Sequence, residues 1–159
     1  MTNKLRLNNK TAIVTGGASG IGEQIVRNFV AEGCKVAIFD KNINGLKLEK
    51  ELNSNGFNTK YYQCDITDEN SIIDCVNQSL IYLKNLNILV NNAALTYFVS
   101  IKDYVIRRWK RSWEVNVHAP FILSQLALQD MIPAGSGSIV NISSGAAIGP
   151  GRGPYQEGS

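Results

Sequence analysis

The apolar positions of this chain fall into short runs that alternate with segments of helical periodicity. Four runs are apolar on both faces, as in strands buried within a parallel sheet: residues 11–14, 36–39, 88–90 and 139–142. Between them, apolar residues recur at helical spacing, as at Ile21, Ile25 and Phe29. The alternation predicts strands near 11–15, 35–40, 58–64, 87–91 and 138–143, with helices over 20–32, 42–54, 68–84 and 103–131.

Strands and helices that alternate in this way favour an α/β fold, a Rossmann-type doubly wound parallel sheet with three layers, α/β/α. Residues 58–63 mix polar and apolar side chains, so this strand belongs at an edge of the sheet. The strand at 138–143 is also expected at an edge, where its unpaired backbone groups form an aggregation hazard. No repeat or linker interrupts the pattern, and residues 1–159 are expected to form a single domain.

A glycine-rich turn joins the first predicted strand to the first predicted helix. Gly16 lets the chain turn off the strand, Gly20 lets the backbone approach a pyrophosphate, and Gly22 lets the helix pack closely. Backbone N–H groups and the helix N-terminus then face the anion. An ordinary glycine-rich turn has the same composition, so the motif alone leaves both interpretations open.

The second apolar run ends in Asp40, close to where a dinucleotide-binding unit places the acid that binds ribose. A carboxylate at this position can accept hydrogen bonds from both hydroxyls of an adenosine ribose, and it repels a 2′-phosphate. The sequence therefore predicts NAD in preference to NADP. The positive charge of the neighbouring Lys41 would attract a 2′-phosphate and act against that preference.

Three further motifs occur later in the chain, two at the ends of predicted strands and one within the last predicted helix. Residues 91–94, Asn-Asn-Ala-Ala, follow the apolar run 88–90, Asn116 lies in the pattern Trp-Glu-Val-Asn-Val-His, and Ser143 and Ser144 follow the last strand. With the 15–22 turn, these motifs resemble the short-chain dehydrogenase/reductase family over nearly the whole chain. The 91–94 segment is similar to the family's Asn-Asn-Ala-Gly element, with alanine in the last place.

The resemblance implies a nicotinamide-dependent oxidoreductase that interconverts a secondary alcohol and a ketone. The cofactor contacts that it implies are Gly16, Ser19, Gly20, Ile21, Gly22, Asp40, Asp65, Ile66, Asn92, Ala93 and Ala94. Asp65 is similar to the family's acid that contacts the adenine, although capping the helix that begins near Asp68 is an equally physical role. A small-molecule substrate and, for the full-length form, a homo-oligomer are also implied.

Asn116 is expected on a largely apolar helix face, because Trp113 and Pro120 lie three and four positions from it. Pro120 lacks the N–H that would bond the Asn116 carbonyl, so we expect a bent helix and a free carbonyl. In the family that the chain resembles, the matching asparagine holds a water of the proton relay through its main chain. The alternative is a structural amide that ties the helix to neighbouring backbone. His118 is expected to pack or to lie at the surface.

The resemblance implies a catalytic serine, a tyrosine and a lysine four residues beyond that tyrosine. Ser144 fits the first role, with Ser143 as its rival. Tyr155 is followed four positions later by Ser159, so the sequence contains no Tyr-x-x-x-Lys. An unperturbed tyrosine titrates near pH ~10 and is a poor base at neutral pH. The interpretation is a chain truncated before the catalytic pair, which lacks the family's C-terminal strands.

Composition narrows the function classes further. A net charge of +3 is too small for nucleic-acid binding, and the basic cluster at 107–111 is typical of a solvated helix face. Three cysteines without ligand spacing predict reduced thiols in a cytosolic protein, with no metal and no disulfide. No apolar stretch approaches the ~20 residues that span a membrane, so the expected location is the cytoplasm. Two alternatives remain, a dinucleotide-binding module without turnover and a Rossmann-like methyltransferase.

Overall fold

The computed structural model describes residues 5–144. It contains five strands, β1 (Thr11–Thr15), β2 (Lys35–Asp40), β3 (Thr59–Gln63), β4 (Ile88–Asn91) and β5 (Ser138–Asn141). They form one sheet in the order β3-β2-β1-β4-β5, and every neighbouring pair is parallel. The predicted doubly wound Rossmann-type fold is confirmed, and the two strands expected at the edges lie there.

The helices lie on the two faces of the sheet. They are α1 (Gly20–Ala31), α2 (Gly45–Ser54), α3 (Glu69–Leu83), α4 (Ile106–Trp113) and α5 (Ala119–Met131), and a 3₁₀ turn spans Ile101–Asp103. Ala12 and Val14 of β1 pack in the cluster that contains α1 and α2, whereas Ile13 packs with α3 and α5. This division follows from the period of two along a strand, which sends alternate side chains to opposite faces.

The prediction that residues 139–142 are buried on both faces is wrong. Ile139 packs against the core, but Val140 and Ile142 are 40% and 41% exposed. The physical reason is position, because within residues 5–144 β5 is an edge strand whose one neighbour is β4. Apolar composition alone does not distinguish an edge strand from a central one.

The single helix predicted over 103–131 is also wrong. α4 ends at Trp113, a π-helical turn spans Glu114–His118, and α5 then begins at Ala119. The Ala119 N–H bonds to the Glu114 carbonyl, five residues back. Pro120 lies in the first turn of α5, where it has no N–H to continue a regular α ladder. The interruption therefore occurs where Pro120 led us to expect a bend.

Candidate cofactor and active site

The carboxyl ends of the five parallel strands meet at one edge of the sheet, and most of the predicted site residues lie there. The chain winds from β1 toward β3 on one side and from β4 toward β5 on the other, so the winding direction switches between β1 and β4. Open α/β sheets bind ligands at such a switch point. Two cavities open along this edge.

The first cavity has a volume of about 380 Å³ and extends from the glycine turn to the segment after β3. Nine of the predicted cofactor residues line it: Gly16, Ser19, Ile21, Asp40, Asp65, Ile66, Asn92, Ala93 and Ala94. Gly20 and Gly22 lie in the first turn of α1 and do not line the cavity. The structure thus brings these residues together, and their contacts with a cofactor stay a prediction.

The turn requires glycine for two different reasons. Gly16 has φ +63°, in the left-handed region that favours glycine, and lets the chain leave β1. At Gly22, a Cβ would overlap the Gly16 carbonyl oxygen, and it would stand 2.6 Å from the Asn92 amide nitrogen. The start of α1 therefore packs directly against the turn and the segment after β4, as the sequence led us to expect.

Thr15 joins the ends of β1 and β4, a role that the sequence pattern did not predict. Its buried hydroxyl oxygen accepts hydrogen bonds from the N–H groups of Asn92 at 3.0 Å and Ala93 at 3.1 Å. The Asn92 side chain donates in turn to the Thr15 carbonyl at 3.0 Å. A hydroxyl at the end of a buried strand, next to the glycine turn, was the available signal.

Asp40 ends β2 with both carboxylate oxygens held by backbone. One oxygen accepts from the Ala18 N–H at 3.0 Å, and the other accepts from the Asn42 N–H at 2.9 Å. Each oxygen keeps further acceptor capacity, because an ionised carboxylate offers about four lone-pair positions. The carboxylate is thereby fixed between the glycine turn and the segment that leads to α2.

Asp65 is held by Thr67. One carboxylate oxygen accepts from the Thr67 hydroxyl at 2.7 Å and from the Thr67 N–H at 3.0 Å. The hydroxyl bond is the main cause that lowers the pKa of Asp65 below its usual range, and the positive charges of Arg111 and Lys41 act in the same direction. Asp68, and not Asp65, caps α3, since its side chain accepts from the Asn70 N–H. The capping alternative for Asp65 is therefore wrong.

Arg111 departs from the expectation that the basic cluster at 107–111 is a solvated helix face. Arg107, Arg108 and Lys110 are exposed, but Arg111 is half-buried and lines the first cavity. Its guanidinium lies 3.5 Å from an Asp65 carboxylate oxygen and 3.5 Å from one of Glu114. The ion pair with Asp65 joins α4 to the segment after β3 across the cavity.

The second cavity, of about 760 Å³, lies on the β4–β5 side. Asn116, Pro120, Ser143 and Ser144 line it, and so does Asn91 at the end of β4. The two cavities share four lining residues, Ile21, Asn92, Ala93 and Ala94. Both predicted catalytic residues, Asn116 and Ser144, thus lie in one cavity that adjoins the first. Because Ser143 lines it too, the choice between the serines stays open.

The Asn116 side chain makes two hydrogen bonds to the backbone of the segment after β4. Its amide oxygen accepts from the Leu95 N–H at 2.8 Å, and its amide nitrogen donates to the Leu95 carbonyl at 2.9 Å. The side chain is not buried on this face, since Asn116 is exposed and Trp113 beside it is 54% exposed. The amide ties the helix to neighbouring backbone, as the structural alternative supposed.

His118 lies at the surface, and Tyr155 falls outside the described residues.

Asn91 connects β4 to β5 beneath the second cavity. Its amide nitrogen donates to the Asn141 side chain at 2.8 Å and to the Ser124 hydroxyl at 3.4 Å. Within residues 5–144, its amide oxygen is the buried side-chain polar atom that lacks a partner. The Ile142 N–H also bonds to the Asn91 carbonyl at 2.9 Å, so the start of the serine segment is anchored to β4.

Within residues 5–144, no helix is long and apolar enough to cross a bilayer.

Comparison with known proteins places this arrangement in a family. Over 154 residues, the chain is 38% identical to (+)-borneol dehydrogenase 2 of Salvia officinalis, covering 95% of the chain and 54% of that protein. A solved 7α-hydroxysteroid dehydrogenase in complex with NADH and 7-oxo glycochenodeoxycholic acid matches with a TM-score of 0.88 and 33% identity, covering 93% of the chain and 58% of that structure. A metagenomic short-chain oxidoreductase in complex with NADP matches with a TM-score of 0.86 and 28% identity, over 91% of the chain and 66% of that structure.

The chain spans about half the length of the curated relatives that it matches. Residues 10–155 match the family described as short chain dehydrogenase, which covers the sheet, the glycine turn and both cavities. The resemblance inferred from the motifs is confirmed, and the chain belongs to the short-chain dehydrogenase family.

Proposed function

We propose that this chain is the cofactor-binding part of an NAD-dependent oxidoreductase that transfers a hydride between a nicotinamide cofactor and a secondary alcohol or ketone. One observation carries the proposal: the two adjoining cavities share Ile21 and the 92–94 segment. Asp40 lies in one cavity and Ser144 in the other. A dinucleotide has two chemically different ends joined by a pyrophosphate, and the arrangement matches that division.

The residues present fit such a cofactor. Gly20 has φ +55°, and a Cβ built there would have no atom within 4 Å, so the turn leaves open space beside its backbone. The space lies at the N-terminus of α1, where N–H groups without helical partners and the helix dipole favour an anion. Ser19 precedes α1 without a capping hydrogen bond from its side chain, and it lines the first cavity. The turn is therefore suited to a pyrophosphate.

Asp40 supports NAD over NADP. Its carboxylate is fixed by two backbone N–H groups and retains acceptor capacity for ribose hydroxyls. A 2′-phosphate would meet an ionised carboxylate and would lose the hydrogen bonds that the hydroxyl makes. The two solved relatives hold NADH in one case and NADP in the other, so the family itself admits both cofactors.

When bound, the nicotinamide supplies or accepts the hydride. We assign to Ser144, with Ser143 as the alternative, a hydrogen bond to the oxygen of the substrate, which orients its carbon. The π-helical turn at Glu114–His118 carries Asn116 into the same cavity, and we assign to its main-chain carbonyl a water of the proton relay. The proton-transferring tyrosine of the family requires a lysine four residues on, and this sequence has Ser159 at that distance from Tyr155.

The full-length form is further proposed to be a homo-oligomer. Three large apolar side chains on α4 and α5, Trp109, Trp113 and Phe121, are 55%, 54% and 65% exposed. The two indole rings lie 6.4 Å apart, so they form one apolar patch. Patches of this kind on soluble proteins commonly mark interaction sites. Size-exclusion chromatography with light scattering, on protein with and without Trp109→Glu, tests this assignment.

Assays on two lengths of protein test the proposed activity. The 159-residue chain is expected to bind NADH and to show no alcohol or ketone turnover, because general acid–base assistance contributes typically ~10²–10⁴-fold and the tyrosine–lysine pair is missing. A form that extends beyond Ser159 into a Tyr-x-x-x-Lys motif is expected to be active, with Ser144→Ala lowering kcat more than Ser143→Ala. Displacement of NADH by S-adenosylmethionine would instead support a methyltransferase, and NADH binding without activity in the longer form would support a binding module.

A further inference from the structure

The β3 end of the first cavity carries a cation, Arg111, to which the proposed function gives no role. β1, β2 and β3 are successive neighbours in the sheet, so the glycine turn, Asp40 and Asp65 follow one another along the cavity. In a dinucleotide, the ribose lies between the pyrophosphate and the adenine. With the pyrophosphate at the glycine turn and the ribose at Asp40, the base therefore comes to the β3 end, beside Asp65 and Arg111.

The Arg111 guanidinium brings hydrogen-bond donors to this end of the cavity. Arg111 is the α4 side chain that lines the cavity, and α4, which the structure describes in full, buries no residue. The guanidinium lies 3.5 Å from carboxylate oxygens of Asp65 and Glu114, beyond the roughly 2.7–3.2 Å of an N–H···O hydrogen bond. Within residues 5–144 it donates no hydrogen bond, so its N–H groups are available to a ligand.

Asp65 presents an acceptor beside these donors. One of its carboxylate oxygens is occupied by the hydroxyl and the N–H of Thr67. The other oxygen lies toward Arg111 and, in the part of the chain that the structure describes, accepts no hydrogen bond. An ionised carboxylate only accepts hydrogen bonds, and a guanidinium only donates them. The cavity therefore holds an acceptor and a donor 3.5 Å apart.

The rest of this end of the cavity suits a planar base. Ile66, which follows Asp65, and Val115, in the π-helical turn, line the same cavity with apolar side chains. Apolar walls with a few polar groups are typical of sites that bind small molecules and orient them. Adenine has apolar faces and a polar edge, on which the 6-amino donor lies next to a ring nitrogen that accepts. Proteins bind this edge with one acceptor and one donor held side by side.

We propose that Arg111 is a further cofactor-binding residue, which together with Asp65 selects adenine as the base of the dinucleotide. The Asp65 oxygen accepts a hydrogen bond from the 6-amino group, and the Arg111 guanidinium donates to a ring nitrogen beside it. Hypoxanthine has a carbonyl oxygen in place of the amino group, and this oxygen meets the Asp65 carboxylate as a second acceptor. The inference rests on the proposed function, because it requires the dinucleotide in this cavity.

Fluorescence titrations with two cofactors test this assignment. NADH and reduced nicotinamide hypoxanthine dinucleotide differ in the base and carry the same fluorescent nicotinamide. The 159-residue chain is expected to bind NADH about tenfold more tightly than the hypoxanthine analogue. Arg111→Met is expected to weaken NADH binding about tenfold and to change binding of the analogue by less than about twofold. Arg107→Met, which alters an exposed arginine of the same helix, is the matched control and is expected to leave both dissociation constants unchanged.

A purely structural role for Arg111 would give a different result. Arg111→Met would then weaken both cofactors equally, and this outcome, like no change in either, would overturn the assignment. Equal affinity of the unmodified chain for the two cofactors would overturn it as well. Asp65→Asn is the second variant, because an amide donates as well as accepts, so the preference for NADH is expected to fall. An unchanged preference in Asp65→Asn would contradict the pairing of the two residues.

The same titrations separate this inference from the proposed function. If the folded, unmodified chain binds neither cofactor, the proposed function fails and the role of Arg111 fails with it. If the chain binds NADH and the ratio of the two dissociation constants is the same in Arg111→Met, the role of Arg111 alone is overturned and the proposed function stands.

Discussion

Asn92 donates two hydrogen bonds to Thr15, one from its main chain and one from its side chain. The Asn92 N–H donates to the Thr15 hydroxyl oxygen at 3.0 Å, and the Asn92 side chain donates to the Thr15 carbonyl at 3.0 Å. β1 and β4 are neighbours in the sheet, and these bonds extend their pairing past the last ladder residues. These two bonds therefore fix the 92–94 segment, which belongs to both cavities, against the glycine turn.

Replacing Thr15 with valine is expected to lower both stability and NADH affinity. The substitution keeps the shape of the side chain but leaves the N–H groups of the half-buried Asn92 and Ala93 without their acceptor, which costs less than the roughly 1–3 kcal/mol of a fully buried unpaired group. Thr11→Val is the matched control, because Thr11 is also buried on β1 and bonds to Asn85 and Asn87 at the opposite end. Urea unfolding and NADH titration check both variants. Equal loss of NADH affinity in the two would contradict the role given to Thr15.

Asp40→Asn is expected to reduce the preference for NADH over NADPH. The substitution removes the charge that repels a 2′-phosphate and retains an oxygen for one of the two backbone donors. We expect the ratio of the two dissociation constants to fall by about tenfold, equivalent to ~1.4 kcal/mol. Parallel fluorescence titrations with NADH and NADPH measure the ratio, and Asp68→Asn, outside the cavity, serves as control. Equal binding of both cofactors to the unmodified chain would refute the assignment of NAD.

The sequence predicted what depends on local geometry. The left-handed turn at Gly16 and the close approach at Gly22 follow from glycine chemistry, and both are present. It did not predict the ion pair of Arg111 with Asp65, because that contact depends on how α4 lies over a segment distant in the chain. The burial of residues 139–142 was wrong for a related reason, since the hydrophobic pattern of a strand does not say whether a neighbour covers it.

Pro120→Ala is expected to convert the π-helical turn at Glu114–His118 into regular α-helix. An alanine N–H at this position can bond the Asn116 carbonyl. A π-helical turn holds about one residue more than an α-helical turn, so its conversion to α-helix rotates the preceding helix by roughly 100°. Asn116 then loses its two bonds to Leu95. Hydrogen exchange at the Leu95 amide is expected to accelerate, as it should in the control Asn116→Ala. An unchanged exchange rate in Pro120→Ala would show that another contact holds the turn.

Thr67→Val is expected to change how stability depends on pH. The folded-state pKa of Asp65 lies below its unfolded value, so its contribution is present above about pH 4 and is lost as the pH falls through the folded-state pKa. Removing the Thr67 hydroxyl raises that pKa and reduces the contribution. Urea unfolding at pH 7 and pH 3 measures the difference, with Thr67→Ser as the control that keeps the hydroxyl. The same pH dependence in both variants would exclude the hydroxyl as the cause.

The most direct test of the account is an NADH titration of the 159-residue chain alongside Gly22→Ala and Gly56→Ala. A Cβ at Gly22 overlaps the Gly16 carbonyl, whereas Gly56 lies far from the turn in the chain and has open space around it. Alanine at Gly56 is strained by its φ of +83°, so this control reports general destabilisation. We predict saturable NADH binding by the unmodified chain and by folded Gly56→Ala, and loss of binding in Gly22→Ala with the fold retained by circular dichroism. No binding by the folded, unmodified chain, or full binding by Gly22→Ala, would contradict it.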